Sequence, residues 1–205
     1  MSNIPLQISN SNKKILNEFE KITFEIIDRK DSDYFKISTF NTKDLPDHKE
    51  YSNHINIVPE FRHLFEKLDE IKENNCLYWF ELESKEKALE LNTLLDNYRS
   101  SKGTSEYKSV PATNGNDNSN VLYVGIRQGG FRKSDNLTNI AGRIYQHLGY
   151  YHSTRTQGLQ FYEYAKGKDF NITLKVVKFD EIENRYLNII EKMIAKELKP
   201  LAGRH

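Results

Sequence analysis

The sequence predicts an α+β domain over residues 76–205, a small antiparallel or mixed sheet of three strands flanked by helices. An N-terminal extension, residues 1–75, precedes it. Three observations predict this class. Runs of strand length, rich in aromatic and branched side chains, occur at residues 77–82 (LYWFEL), 121–126 (VLYVGI) and 171–179. The segments around them carry apolar side chains at three- and four-residue spacing, the helical period. The β–α alternation is too short for a doubly wound sheet. Neither G-x-G-x-x-G nor G-x-x-x-x-G-K occurs, which argues against a dinucleotide or P-loop enzyme.

Taken in order, residues 12–20 place Ile15, Leu16 and Phe19 on one helical face. Ile22, Phe24 and Ile26 alternate with polar neighbours, as do residues 34–37, and both read as strands. Residues 43–53, containing Asp-Leu-Pro-Asp, read as loop. Over 59–74 the spacing of Phe61, Leu64, Phe65, Leu68 and Ile71 is helical. After the first strand, Ser84 is a plausible N-cap for a helix over 85–98, with Ala88, Leu91, Leu94 and Leu95 along it. Residues 100–120, dense in Ser, Gly, Asn, Thr and Lys, read as a mobile loop. Gly129 and Gly130 break the second strand. A helix from about 134 to 148 carries Leu137, Ile140, Ile144 and Leu148, and Gly149 stops it. Residues 156–165 fit helix or strand. The final helix, 182–198, has an apolar stripe of Tyr186, Ile189, Ile190, Met193, Ile194 and Leu198, and Pro200 ends it.

Composition narrows the function. The 205 residues are 37% hydrophobic and 29% charged, polar but with enough aromatic and aliphatic side chains for a core. One cysteine excludes an internal disulfide and any multi-cysteine zinc site. The first residues lack a signal-peptide apolar region, and no run approaches the roughly 20 apolar residues of a membrane span. These features predict a soluble, cytoplasmic protein with no membrane partner. Charge is divided unevenly: residues 1–120 carry 16 basic and 21 acidic side chains, residues 121–205 carry 14 basic and 8 acidic. A net +6 in the second part suits a polyanionic partner such as nucleic acid, although scatter alone can produce it.

Five residues in that layer bear chemistry. Tyr78 and Tyr123 lie in the first two strands; Arg143 and His147, four apart, project from one helix face; Glu191 sits amid Ile189, Ile190, Met193 and Ile194. Singly, each has an ordinary reading. A tyrosine in an apolar strand is core with its hydroxyl at the rim. Arg143 and His147 make a solvated face, and Glu191 is a stripe's edge paired with Lys192 or Lys196. Together they have a different meaning.

The set resembles the GIY-YIG endonuclease family, particularly its compact restriction-type members. Tyr123-Val124-Gly125 is similar to the family's Tyr-Ile-Gly, and Cys76-Leu77-Tyr78 matches its Gly-Ile-Tyr at the apolar and Tyr positions. Gly142 to His147 carries its Arg-x-x-x-His helix, and Glu191 is followed by Pro200 as in its metal-binding segment. Two departures stand out. Residues 84–120 are inserted between strands the family joins by a short hairpin, and Gly203 replaces an Asn that helps fix the metal-site geometry. The resemblance implies hydrolysis of DNA phosphodiesters, duplex favoured, leaving a 5′-phosphate and a 3′-hydroxyl. It implies one Mg²⁺ (or Mn²⁺) on Glu191, charge neutralisation by Arg143, Tyr78 as base for the attacking water, His147 holding or deprotonating Tyr78, and Tyr123 orienting water or phosphate. Arg204 and His205 could stand in for the missing Asn. The extension and the inserted loop would recognise the target. Arg127, Arg132, Lys133, Tyr151, His152 and Arg155, basic and aromatic together, suit phosphate contact and base stacking, and Tyr150 belongs with them. A single site cuts one strand, so a double-strand break calls for a homodimer or successive nicks.

Overall fold

A computed structural model describes residues 10–28, 35–47, 61–130, 139–151 and 155–203. The chain runs through helix α1 (Asn10–Asp28), strand β1 (Phe35–Asn41), α2 (Arg62–Asp69), β2 (Asn75–Leu82), α3 (Lys85–Arg99) and β3 (Val121–Arg127). It continues through α4 (Ile140–Leu148), α5 (Phe161–Ala165), β4 (Asn171–Phe179) and α6 (Asn184–Leu198). The class is α+β as expected, but the sheet has four strands, in the order β1-β4-β2-β3, and every pairing is antiparallel. The fourth strand comes from the N-terminal extension: β1 pairs along its length with β4, Thr39 opposite Thr173.

Two other differences concern the first helix and the fourth. Residues 22–26 are helical, not extended. Phe19 and Ile22 pack toward α6 beside the buried Ile26, while Phe24 is 53% exposed. A five-residue alternation fits a helix as well as a strand when one apolar position faces water. Helix α4 starts at Ile140 rather than 134, because Asn139 is extended and its side chain accepts the Gly142 amide hydrogen as an N-cap. Leu137 lies outside the described residues. Gly149 closes α4 at φ +101°, as its position predicted, and Ser84 caps α3 by accepting from the Lys87 amide.

Strand alternation divides the core. Cys76, Tyr78, Phe80 and Leu82 of β2 face the cluster built with α2, α3, α4 and α5. Leu77 and Trp79 face α6 and α1, with Val124, Val177, Ile190 and Ile194. Burial pushes the Cys76 thiol up to about 12, so it is an inert core group. Among the described residues, no helix is long and apolar enough to cross a membrane.

The loop between α3 and β3 is fastened at both ends, in contrast to its expected mobility. Lys108, Val110 and Ser119 are buried. Asn114 and Asn116 donate side-chain hydrogen bonds to the Pro200 carbonyl (3.0 and 2.9 Å), and Ser119 Oγ donates to the Leu198 carbonyl. The segment after α6 then lies against β3: the Leu201 and Ala202 amides donate to Val121 and Leu122 carbonyls. Gly203 takes a left-handed φ of +125° and donates its amide hydrogen to Ala112. Arg204 and His205 lie outside the described residues.

Candidate active site

Strands β2 and β3 set Tyr78 opposite Gly125 and Phe80 opposite Tyr123, so both tyrosines leave the same face of the sheet. That face meets α4. Arg143 and His147, one turn apart, meet the phenols there: Arg143 Nε–H donates to the Tyr78 oxygen at 3.0 Å, and Arg143 Nη2–H to the Tyr123 oxygen at 3.4 Å. The same edge of one guanidinium thus holds both phenols. Its other terminal nitrogen, Nη1, donates to Gln146 Oε1 (2.9 Å) and to the Gln157 carbonyl (2.6 Å). A guanidinium has five N–H groups, and these four bonds leave one, on Nη2, without an acceptor among the described residues.

His147 Nε2 lies 2.9 Å from the Tyr78 oxygen, while Nδ1 accepts the Leu159 backbone N–H at 3.0 Å. Because Nδ1 is an acceptor, the neutral ring carries its proton on Nε2 and donates it to Tyr78. Of the two expected roles, holding or deprotonating Tyr78, this tautomer fits the first: His147 donates a hydrogen bond to the phenol oxygen. The Tyr78 oxygen receives two N–H donors, from Arg143 and His147. Burial pushes the Tyr78 phenol up from its ordinary value, and the Arg143 guanidinium pulls the other way. Burial draws Arg143 down, but the two phenols outweigh it and keep it firmly protonated.

His147 is fully buried, and burial first, then the Arg143 charge, holds it well below its ordinary value. The folded protein thus keeps it neutral. Once unfolded it titrates near 6.5, so at lower pH the unfolded chain binds a proton the folded one refuses. Stability is retained above about 6.5 and falls below it, by at most about 1.4 kcal/mol per pH unit. Urea unfolding at pH 7.5 and 5.5 measures this loss, and His147→Gln is expected to flatten the dependence.

Gly125 makes the convergence possible. A Cβ there would stand 2.7 Å from the Tyr78 hydroxyl oxygen and 2.8 Å from Tyr123 Cε1. Both rings would have to move. Gly125→Ala is expected to cost about 1–3 kcal/mol in overpacking and to break the phenol–guanidinium contacts, read as a lower Tm in thermal unfolding.

Glu191 comes from α6, which packs on the opposite face of the sheet. It nevertheless lies within electrostatic range of Tyr78 and Arg143: its charge bears on Tyr78, and the Arg143 charge bears on it. The carboxylate is half-buried, and no described residue hydrogen-bonds or ion-pairs with it. Burial raises its pKa; Lys192 and Arg143 pull it back. Among the described residues no three metal-ligating side chains are gathered. Among the described residues the donor available is the Glu191 carboxylate, within electrostatic range of the Arg143 guanidinium and the Tyr78 phenol. That fits a hard cation which keeps several waters and draws its other ligands from a phosphate.

The remaining expected contacts divide. Arg155 is exposed, and Arg127 is partly buried at the end of β3. Tyr151 packs partly against the core. Tyr150 is unsuited to base stacking, being buried with its hydroxyl donating to the Pro46 carbonyl at 3.0 Å. Arg132, Lys133 and His152 lie outside the described residues. Three participants had no sequence signal of function: Gln146, a helical turn from Arg143, and the Gln157 carbonyl and Leu159 amide, which act through backbone atoms. No protein-family model, curated protein or solved structure matches the chain.

Proposed function

We propose that the protein is a metal-dependent endonuclease that hydrolyses DNA phosphodiester bonds, duplex favoured, as its resemblance to the GIY-YIG family suggests. The observation that carries this reading is convergence. Tyr78, Tyr123, Arg143 and His147, from three separate elements, form one hydrogen-bonded cluster. A carboxylate from a fourth element, unpartnered among the described residues, lies within electrostatic reach.

The residues divide the work by their donors and exposure. The spare Nη2–H of Arg143 is the donor for a non-bridging phosphate oxygen, and its fixed charge offsets the negative charge that grows as water attacks. Tyr78 acts as the phenolate, its own proton having gone to solvent; the two N–H donors on its oxygen stabilise that form against the burial that opposes it. The phenolate accepts a proton from the attacking water as the water oxygen bonds to phosphorus and the bond to the 3′ oxygen breaks, and the departing 3′ oxygen takes a proton from solvent. Tyr78 is fully buried. The water reaches it past Tyr123, the partly exposed phenol on the same guanidinium edge, which orients it. Mg²⁺ or Mn²⁺ on Glu191 would supply Lewis-acid neutralisation at the phosphate and the leaving oxygen. The basic second part of the chain adds salt-sensitive attraction to the backbone.

A plasmid-nicking assay with Mg²⁺, then with EDTA, tests the proposal. Nicking that requires the metal and yields 5′-phosphate ends is the expected result. Salt-sensitive DNA retention without nicking in Mg²⁺ or Mn²⁺ would instead identify a nucleic-acid-binding module.

A further inference from the structure

We propose that residues 108–110 of the insertion between β2 and β3, acting through Gln157, position the Arg143 guanidinium and the His147 ring for the reaction proposed above. The inference rests on that reading for its use in catalysis, but the positioning itself stands on hydrogen bonds. Neither Arg143 nor His147 is oriented by its own helix alone. The Gln157 carbonyl takes an Arg143 N–H at 2.6 Å, and the Leu159 amide fills His147 Nδ1 at 3.0 Å. Where residues 157–159 lie therefore decides where the guanidinium points and which imidazole nitrogen faces Tyr78.

Those three residues have little regular structure of their own, being neither helix nor strand. The insertion holds them. The Gly158 amide donates to the Ser109 carbonyl at 3.1 Å, and Gln157 Nε2 donates to the Val110 carbonyl at 3.1 Å. On the other side, a Cβ at Gly158 would lie 2.8 Å from the Gln146 carbonyl oxygen, so the segment is wedged between the insertion and α4. The insertion is itself anchored to the end of that helix. Lys108, 7% exposed, donates to the Gly149 carbonyl at 2.5 Å and ion-pairs with Glu163 at 2.9 Å. A few residues on, Ala112 and Asn114 bond the Leu201–Gly203 segment that lies along β3 beside Tyr123. The insertion thus runs as a strap from the Arg143 and His147 side of the site to the Tyr123 side. Gln157 is its contact point, a positioning residue whose side chain grips the strap while its carbonyl grips Arg143.

Gln157 is exposed, so its side chain can be changed with the fold intact. Gln157→Ala removes the donor to Val110, and Gln157→Glu keeps the size while replacing that donor with an acceptor. Two readouts are needed: single-turnover nicking across DNA concentrations, and ¹⁵N resonances of the His147 imidazole, which report its tautomer without any reaction. In both variants we expect the maximal rate to fall about tenfold at an unchanged half-saturating DNA concentration. The His147 resonances should move from an Nε2–H pattern toward averaged tautomers. Unchanged His147 resonances would overturn the proposal, and so would variants that nick at the parental rate. Moved resonances in a protein whose parent never nicks would leave the strap standing and refute the nuclease reading.

Discussion

Glu191→Gln is expected to reduce metal-dependent nicking by on the order of 10³-fold, because cation-mediated neutralisation at a scissile phosphate is worth several kcal/mol and each 1.4 kcal/mol is a factor of ten. The substitution keeps volume and polarity and removes only the charge that would hold Mg²⁺. It also removes a half-buried carboxylate that no described residue partners. Thermal unfolding in EDTA should therefore occur at a temperature no lower than the parent's, which separates a lost site from a lost fold. DNA retention in a gel shift should persist. Robust Mg²⁺-dependent nicking by the variant would refute the assignment of Glu191 as ligand.

Arg143→Lys should slow nicking by about 10²–10³-fold, the loss seen when one preorganised donor to developing charge is removed, although the net charge is preserved. A lysine is a point charge on a flexible stem, without the planar fork that places Tyr78 and Tyr123 on one edge and the Gln146 and Gln157 acceptors on the other nitrogen. The slope of DNA binding against salt concentration should stay the same, since it counts neutralised phosphates rather than their geometry. Rate constants measured at saturating DNA and a binding isotherm in varied salt check the two halves. A variant with near-parental rates would mean that charge alone suffices and that the fork has no role.

Of the strands legible in the sequence, β2 read as an unbroken apolar run because it is buried on both faces, β3 read likewise, and β4 showed as an alternation. Leu77, Trp79, Tyr78 and Phe80 fill two different clusters from adjacent positions. The edge strand β1 was visible only as a weak alternation, and nothing local said that Phe40 and Thr39 would align with Ile172 and Thr173 in the same sheet. Polarity in residues 100–120 suggested looseness. The Asn114, Asn116 and Ser119 side chains are instead engaged by carbonyls at the end of α6 and just beyond it, a long-range use that composition does not encode. The site followed the same rule. Its side-chain members were legible because tyrosine, arginine, histidine and glutamate carry distinctive chemistry. The Gln157 carbonyl and the Leu159 amide, groups that nearly every residue possesses, were not.

The antiparallel pairing of β1 with β4 also governs how the molecule is made. Thr39 and Thr173, hydrogen-bonded at 3.0 Å, are 134 positions apart. Strand β4 is central, flanked by β1 and β2, so neither neighbour finds its mate until most of the chain has left the ribosome. Loop closure over such distances is slow to nucleate. Strand β1, made well before β4, therefore waits for it with its backbone edges unsatisfied, the kind of surface that chaperones shield in nascent polypeptides.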